Sequence, residues 1–288
     1  PVSSFEDFRR LPFTTKDDLR DAYPFGFLGV PKTEVVRLHA SSGTTGIPTA
    51  IYHSREDLAA WTEIVVRSLK AVGAGPEDVF QNMMSYGLFT GGLGLHYGAE
   101  RVGMAVIPIG GGNTKRQIQT MKDFQTTILH VTPSYLLHIH SQFEAEGVKA
   151  GDLALRRAFI GAEPHSENTR RKIDDLLHIQ AFNSYGLSEL NGPGVAFECV
   201  CRKDMHLWED AYIVEIIDPT TGRNVEDGQE PAEEHQRGAQ VADHEQEHHG
   251  CAEHQQQRGH SAEKSIDLKG AAKKRGWIDH GNLLWWGG

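Results

Sequence analysis

The stretch AFIGAEPHSENTRRKIDDLLHIQAFNSYGLSE, residues 158–189, alternates between two kinds of secondary structure. Residues 158–160 form an apolar run typical of a strand, residues 167–177 have the apolar spacing of a helix, and residues 179–182 are again strand-like. Two strands joined by a helix lie parallel in one sheet, because the chain crosses back before the second strand begins. The stretch therefore predicts an α/β fold, a mostly parallel sheet covered by helices on both faces.

The same alternation extends over residues 35–218. A helix is predicted after Ser54, which suits the N-cap, and another begins at Pro133, which suits the first helical position. A third helix is predicted over residues 115–124. The remaining strand predictions are the extended run 35–38, the short run 79–80, a buried strand at 104–109, and strands at 128–131 and 212–217.

A loop of small residues, Ser41-Ser42-Gly43-Thr44-Thr45-Gly46-Ile47-Pro48-Thr49, follows the run 35–38. Its glycines let the backbone close around an anion, and its hydroxyls and free amides could point at that anion. It is not a Walker loop, because the G-x-x-x-x-G-K-[ST] spacing is absent. On composition alone, a solvated loop is the more common structure for such a cluster.

Two further motifs follow predicted strands, Gly161-Ala162-Glu163-Pro164 and Asn183-Ser184-Tyr185-Gly186-Leu187-Ser188-Glu189. The residues of each motif could serve only to form a turn. In parallel sheets, however, ligands bind beyond the carboxyl ends of the strands. Together with the loop 41–49, they match in order the three core signatures of adenylate-forming enzymes, which this chain resembles. Within that superfamily it most resembles phenylacetate–coenzyme A ligases, over residues 5–228. The resemblance continues in the segments 11–16, 23–26, 87–94, 96–100, 132–135, 192–194 and 208–210.

The resemblance implies part of the large N-terminal domain of an adenylate-forming enzyme. It implies a two-step reaction, in which ATP activates an aryl acid as an acyl-adenylate and coenzyme A then displaces AMP. The implied partners are a small-molecule carboxylic acid, ATP and coenzyme A, and relatives of this kind tend to be homodimers.

The resemblance also implies the nucleotide site. The residues implied to hold the phosphates are Ser41, Ser42, Gly43, Thr44, Thr45 and Gly46, and the catalytic set is Glu189, Thr44 and His96. The residues implied to line the adenosine are Gly161, Ala162, Glu163, Pro164, Asn183, Ser184, Tyr185 and Gly186, with Tyr185 packing on the adenine ring.

Glu189 would hold Mg²⁺, a hard cation that prefers oxygen ligands, although a carboxylate at a helix N-terminus is a common alternative. Ile47 stands where many relatives carry Lys, so one phosphate-binding cation is absent.

The implied acid pocket consists of Met84, Phe89, Leu95, Tyr135 and Pro193, together with Ala162. Phe89 and Leu95 could equally be core residues. Met84 and Ser184 replace a Tyr and an Ile that are usual in phenylacetate enzymes, which changes the shape and polarity of the pocket. An aryl acid is therefore predicted, and phenylacetate itself is not specified. His96 could orient the substrate carboxylate or be a hydrogen-bonded core histidine.

A second metal site is a further hypothesis. Cys199, Cys201 and His206 could supply three ligands to a structural zinc ion, with His130 as the fourth. The spacing is not that of a standard zinc finger, and free cysteines are often simply buried.

Composition excludes several function classes. The net charge of −10 argues against general nucleic-acid binding and against docking on anionic membranes. No apolar run reaches the roughly 18 residues needed to span a bilayer, and no signal peptide is recognisable. Three cysteines in 288 residues do not make a disulfide framework, which favours a reducing cytoplasm.

The two ends of the chain differ from the middle. Residues 1–228 are interpreted as an incomplete adenylate-forming domain, with residues missing before Pro1. Residues 229–288 are interpreted as an atypical tail: between Pro231 and His260 there are six His and six Gln, which predicts disorder and suggests a frameshift or chimera. The Arg-Tyr-Arg-Thr-x-Asp segment of relatives and the lid after it are not found, so a weakly active or inactive chain is predicted.

The alternative is a non-catalytic nucleotide-binding fragment. A dinucleotide oxidoreductase is disfavoured because no G-x-G-x-x-G follows the first strand.

Overall fold

The computed structural model describes residues 3–41, 46–217 and 225, together with the backbone of residues 265–266. The loop residues Ser42, Gly43, Thr44 and Thr45 lie outside the described residues, as does nearly all of the tail 229–288.

Seven helices and ten strands follow one another along the described residues. The helices are α1 Phe5–Phe8, α2 Lys16–Asp21, α3 Arg55–Ala71, α4 Thr90–Val102, α5 Thr114–Asp123, α6 Pro133–Ser141 and α7 Glu167–Leu177. The strands are β1 Arg37–Ala40, β2 Ala50–His53, β3 Val79–Asn82, β4 Ala105–Ile107, β5 Ile128–Val131, β6 Arg157–Ile160, β7 Gln180–Leu187, β8 Gly192–Glu198, β9 Met205–Leu207 and β10 Ser265–Ile266. None of the described helices is long and apolar enough to cross a membrane.

The main sheet has the strand order β10-β9-β8-β7-β6-β5-β3-β4. Strands β4, β3, β5, β6 and β7 pair in parallel, whereas β7, β8, β9 and β10 pair antiparallel. The predicted α/β class and mostly parallel sheet are confirmed. The chain leaves β3 toward β4 on one side and then returns to β5 on the other. The connections that leave β3 and β5 therefore run to opposite sides of this strand pair. In α/β sheets, ligands bind at the point where the connections separate in this way.

Helices cover both faces of the sheet, as predicted. On one face, α3 and α4 pack on alternate strand residues, among them Phe80, Ile128, Phe159, Phe182 and Phe197. On the other face, α5, α6 and α7 pack on the intervening residues Leu129, Val131, Ala158, Ile160 and Ala181. This alternation follows from the two-residue period of a strand.

Three predicted strands differ from the structure. Strand β7 continues through residues 184–187 to pair with β8, so the motif 183–189 lies within a strand and a short 3-10 turn rather than in a loop after the strand. Strand β4 is an edge strand with Ala105 exposed, not the buried strand predicted at 104–109. The prediction of a strand at 212–217 is wrong: apart from a single bridge at Ile217, the segment is irregular, and Ile213 and Ile216 are half exposed.

The glycine-rich segment 87–98 forms most of α4, for which its composition is unfavourable. A Cβ atom at Gly94 would lie 2.3 Å from Trp61, and one at Gly98 would lie 2.2 Å from Val65. These glycines therefore permit a close approach between α3 and α4 that larger residues would block.

The hairpin β1–β2, which carries the loop 41–49, packs on α3 through two fully buried histidines, His39 and His53. The His53 ring stacks on Trp61 with centroids 5.3 Å apart. Within the described residues, neither nitrogen of His53 has a hydrogen-bond partner, whereas His39 Nδ1 donates to the carbonyl of Leu88 at 3.0 Å. The hairpin thus buries imidazole nitrogens that are unsatisfied.

We expect His53→Phe to stabilise the fold, because phenylalanine keeps the stacking on Trp61 and removes two unsatisfied polar atoms. An unsatisfied buried polar group costs about 1–3 kcal/mol. Burial also lowers the pKa of His53 to about 4. The folded-state pKa therefore lies below the unfolded-state value of about 6.5, so the unfolded chain takes up the proton first. The free energy of unfolding is highest above pH 6.5 and decreases as the pH falls toward 4.

Urea denaturation at neutral pH and at acidic pH within that window tests this expectation. The variant should have the higher midpoint at both pH values and a smaller loss at acidic pH, whereas His138→Phe, at an exposed position, should behave like the parent. An equal acid-dependent loss in His53→Phe and the parent would contradict the account.

Candidate functional site

Three segments that are far apart in the sequence converge on the carboxylate of Glu189. The Thr49 hydroxyl donates to Glu189 Oε1 at 3.2 Å, and Lys16 Nζ lies 3.4 Å from the same oxygen. Thr49 is fully buried and the Glu189 side chain is only 16% exposed, which strengthens these contacts relative to a surface pair. A carboxylate, a hydroxyl and an ammonium group therefore share one partly buried site.

The small-residue loop closes directly beside this carboxylate. The Thr49 amide donates to Ser41 Oγ at 3.0 Å, and the Ser41 amide donates to the Thr49 carbonyl at 3.0 Å. Gly46 has φ +118°, a conformation that favours glycine, and Ile47 is 53% exposed. The predictions for Ser42–Thr45 lie outside the described residues, but the two ends of the loop are held together at Glu189.

Sequence reasoning gave Lys16 no role, although it lies in one of the segments that carry the resemblance. Thr15 begins α2 with a capping box, a local signal for the helix but not for its contact with Glu189. The alternative for Glu189, a charge at a helix N-terminus, has little support because residues 188–190 form a 3-10 turn of three residues. Glu189 instead faces Thr49 and Lys16.

Tyr185, predicted to pack on adenine, packs against the small apolar cluster of Leu190, Val195 and Leu207. Burial and the nearby negative charge of Glu189 raise the pKa of Tyr185 to about 12. Its phenol is therefore neutral at physiological pH and presents a flat, uncharged ring next to the site.

The turn 161–164 lies at the carboxyl end of β6. A Cβ at Gly161 would lie 2.5 Å from the Ser184 carbonyl oxygen, so only glycine fits. Ala162 has φ +63°, a strained conformation for a non-glycine residue that costs about 1–3 kcal/mol and is concentrated at functional sites. The Glu163 carboxylate accepts hydrogen bonds from the Ser134 amide at 2.6 Å and the Ser134 hydroxyl at 2.9 Å. The side chain of Glu163 thus holds the start of α6, which leaves its backbone to line the site.

Asn183 lies at the end of the parallel part of β7, next to this turn, and is 5% exposed. Its amide N–H donates to Glu198 Oε2 at 2.8 Å and its Nδ2 donates to Glu198 Oε1 at 2.9 Å. Its Oδ1 is hydrogen-bonded to His165 Nε2. Ser184, the next residue, directs its hydroxyl to the Ile160 carbonyl at 3.3 Å.

A chain of polar side chains crosses the point between β3 and β5 where connections diverge. His130 Nδ1 lies 3.0 Å from Asn82 Oδ1, and Asn82 Nδ2 donates to the Tyr86 hydroxyl oxygen at 2.9 Å. Tyr86 in turn lies 3.1 Å from His96 Nδ1, and His96 Nε2 lies 3.0 Å from Glu100 Oε1. Burial lowers the pKa of His130 to about 3 and raises the pKa of Tyr86 to about 12, so both are neutral. Both nitrogens of His96 are engaged, which leaves neither for the predicted contact with a substrate carboxylate.

The residues predicted for the acid pocket differ in how deeply they are buried. Leu95 is fully buried within the core beside Trp61 and Phe80, which favours the core alternative, and its place in the pocket stays a prediction. Met84 is 7% exposed and Phe89 is 40% exposed at the N-cap of α4. The Tyr135 hydroxyl lies 3.3 Å from Thr114 Oγ1, and the Pro193 carbonyl accepts from Trp61 Nε1 at 2.7 Å.

The predicted zinc ligands do not come together. Among the residues that the structure describes, no three His, Cys, Asp or Glu side chains form a group that could hold a metal ion. The Cys201 amide donates to Cys199 Sγ at 3.4 Å, and neither cysteine forms a disulfide bond with another described residue. His206 lies in β9, whereas His130 lies in β5 and is bonded to Asn82, with three strands between them in the sheet.

Comparison with known proteins identifies the family of the chain. The family model of the AMP-binding enzymes matches residues 27–243. The chain is 50% identical over 229 residues to phenylacetate-coenzyme A ligase from Pseudomonas putida, which covers 79% of this chain and 52% of that protein. It is 49% identical over 224 residues to the ligase of the same name from Thermus thermophilus, covering 77% of this chain and 50% of that protein. The chain therefore spans about half the length of the curated relatives it matches.

Solved structures show the same fold. A crystal structure of 2-hydroxyisobutyryl-CoA ligase in an open conformation, in complex with 2-HIB-AMP and CoA, superposes with a TM-score of 0.73 at 26% sequence identity, covering 79% of this chain and 51% of that chain. The same enzyme in its thioester-forming state, again with 2-HIB-AMP and CoA, gives a TM-score of 0.73 at 27% identity, covering 79% of this chain and 50% of that chain. The family model matches most of the chain, two relatives are about half identical to it, and the fold is the same: the chain belongs to the AMP-binding enzyme family.

Proposed function

We propose that this chain is the nucleotide-binding part of an AMP-forming acid–coenzyme A ligase. The observation that carries the proposal is the convergence of Thr49 and Lys16 on Glu189, beside the closed ends of the loop 41–49. Hydroxyls, backbone amides and a cation around a partly buried carboxylate suit a triphosphate with its divalent cation.

The proposed reaction has two steps. A carboxylate attacks the α-phosphorus of ATP and pyrophosphate leaves; the thiol of coenzyme A then attacks the acyl carbon and AMP leaves. Such transfers depend mainly on alignment and on neutralising charge, rather than on covalent catalysis by the protein. Glu189 and Thr49 supply the oxygen atoms that Mg²⁺ prefers, and a bound Mg²⁺ would neutralise phosphate charge.

The proposed substrate is an aryl acid, because the matched relatives are phenylacetate-coenzyme A ligases. Met84 is buried after β3, and its amide donates to Asn82 Oδ1 of the polar chain at 3.2 Å. Phe89 at the start of α4 is 40% exposed and offers apolar surface. Burial of an aromatic ring against such surface is favourable. A cytoplasmic homodimer stays a prediction.

ATP–pyrophosphate exchange with phenylacetate, compared with acetate, tests the proposal. Exchange stimulated by the aryl acid would support ligase chemistry in this chain. Binding of ATP and AMP without exchange would favour the alternative, a nucleotide-binding protein without turnover. A folded chain that shows neither exchange nor nucleotide binding would contradict both.

A further inference from the structure

We propose that Glu198 is a positioning residue that fixes the side-chain amide of Asn183 and so sets the preference for adenine over guanine. The inference rests on the proposed function and on the adenosine site that the resemblance implies for residues 161–164 and 183–186. It concerns a residue that lies on β8, away from the loop 41–49 and from Glu189.

Glu198 has the properties of a residue that orients another side chain. It is fully buried, and each of its carboxylate oxygens accepts one hydrogen bond from Asn183: Oε2 from the backbone N–H at 2.8 Å and Oε1 from Nδ2 at 2.9 Å. Its charge interacts with that of Arg170, which is itself 6% exposed. Each oxygen of the carboxylate therefore faces one N–H donor of Asn183, and the charge of Arg170 is nearby.

This contact defines which end of the Asn183 amide faces the site. A carboxylate only accepts, so the NH₂ group must point to Glu198 and Oδ1 must point away from it. Oδ1 meets His165 Nε2, and His165 Nδ1 lies 3.2 Å from the Glu163 carbonyl. A flipped amide would set oxygen against oxygen at Glu198, so the contact with Glu198 fixes the orientation. His165 meets Oδ1 as the tautomer that carries its proton on Nε2.

The orientation has a consequence for the base. An amide oxygen has two lone pairs, of which His165 uses one. The second can accept the exocyclic amino group of adenine, whereas guanine presents a carbonyl oxygen at the equivalent position and would be repelled. Sites that hydrogen-bond one group and leave its replacement unpaired discriminate strongly.

Glu198→Gln tests the inference, because glutamine offers one acceptor and one donor in place of two acceptors. The Asn183 amide then no longer has a single favoured orientation. We expect the ratio of the dissociation constants of GMP and AMP to fall at least about tenfold, mainly through weaker AMP binding. Glu198→Asp, which keeps the charge but shortens the reach, should give an intermediate ratio.

Asp78→Asn is the matched control. Asp78 is also a fully buried carboxylate, which accepts from Thr127 Oγ1 at 2.7 Å, but it lies at the amino end of β3, at the opposite edge of the sheet. The Asp78→Asn substitution should lower the free energy of unfolding and leave the ratio of the dissociation constants of GMP and AMP unchanged.

The outcomes separate the inference from the proposed function. If the parent chain prefers AMP and the folded Glu198 variants keep its ratio, or if Asp78→Asn lowers the ratio equally, the positioning role is overturned while nucleotide binding stands. If the folded parent chain binds neither nucleotide, the proposed function itself fails, and the inference with it.

Discussion

Replacing Glu189 by Gln should reduce the gain in ATP affinity that Mg²⁺ provides by about 10–100-fold or more. Loss of a residue that only supports a metal ligand already has effects of that size. The amide of the introduced glutamine still accepts the Thr49 hydroxyl, but it lacks the charge that attracts a divalent cation. Lys16 loses the partner that lies 3.4 Å from it and becomes free to approach phosphate. Binding of ATP without Mg²⁺ should therefore be unchanged or tighter.

Calorimetric titration with ATP, once with Mg²⁺ and once with a chelator, measures both effects. Glu63→Gln serves as the control, because Glu63 makes an exposed ion pair with Arg101 at 3.3 Å and has no contact with Glu189. Should the Glu189 variant retain the full Mg²⁺ dependence of the parent, Glu189 does not hold the cation.

Replacing Phe159 by Ala should destabilise the fold by about 3–5 kcal/mol, the usual effect of removing a large aromatic side chain from a core. Phe159 is fully buried in the central strand β6. Its ring centroid lies 5.4 Å from that of Phe197, 6.3 Å from that of Phe182 and 6.5 Å from that of Phe80. These four rings come from four strands, so their cluster joins the parallel and antiparallel parts of the sheet under α3 and α4.

Urea denaturation followed by circular dichroism measures the change in the free energy of unfolding. Phe124→Ala, at a position that is 62% exposed, should change it by less than about 0.5 kcal/mol. A loss below about 1 kcal/mol in Phe159→Ala would show that the aromatic cluster is not packed as described.

Local signals explain which elements the sequence predicted well. Helix α7 spans Glu167–Leu177, the range predicted from apolar spacing, and α6 begins at Pro133 as predicted. Ser54 caps α3 through a reciprocal pair of hydrogen bonds with Asp57. Each of these depends on residues within about one turn of one another, which a single sequence displays.

Contacts between distant segments explain what the sequence missed. The extension of β7 through residues 184–187 depends on pairing with β8, and α4 forms despite its glycines because α3 packs closely on it. The same holds for the site. The motifs identified Glu189 and the loop, but the approach of Lys16 to Glu189 and of Glu198 to Asn183 appears only after folding.

For Leu95 and His96, the sequence left two alternatives open for a related reason. Leu95 lies on the face of α4 that packs into the core, and His96, one residue later, bonds to Tyr86 and Glu100. Motif resemblance places both near the acid pocket but does not show which way each side chain points.

Calorimetric titration of the 288-residue chain with AMP tests the central claim most directly, that residues converging on Glu189 and on the turn 161–164 form a nucleotide site. The account predicts saturable binding at one site per chain, abolished by competition with excess ATP. A folded chain that shows only heats of dilution with both nucleotides would contradict it.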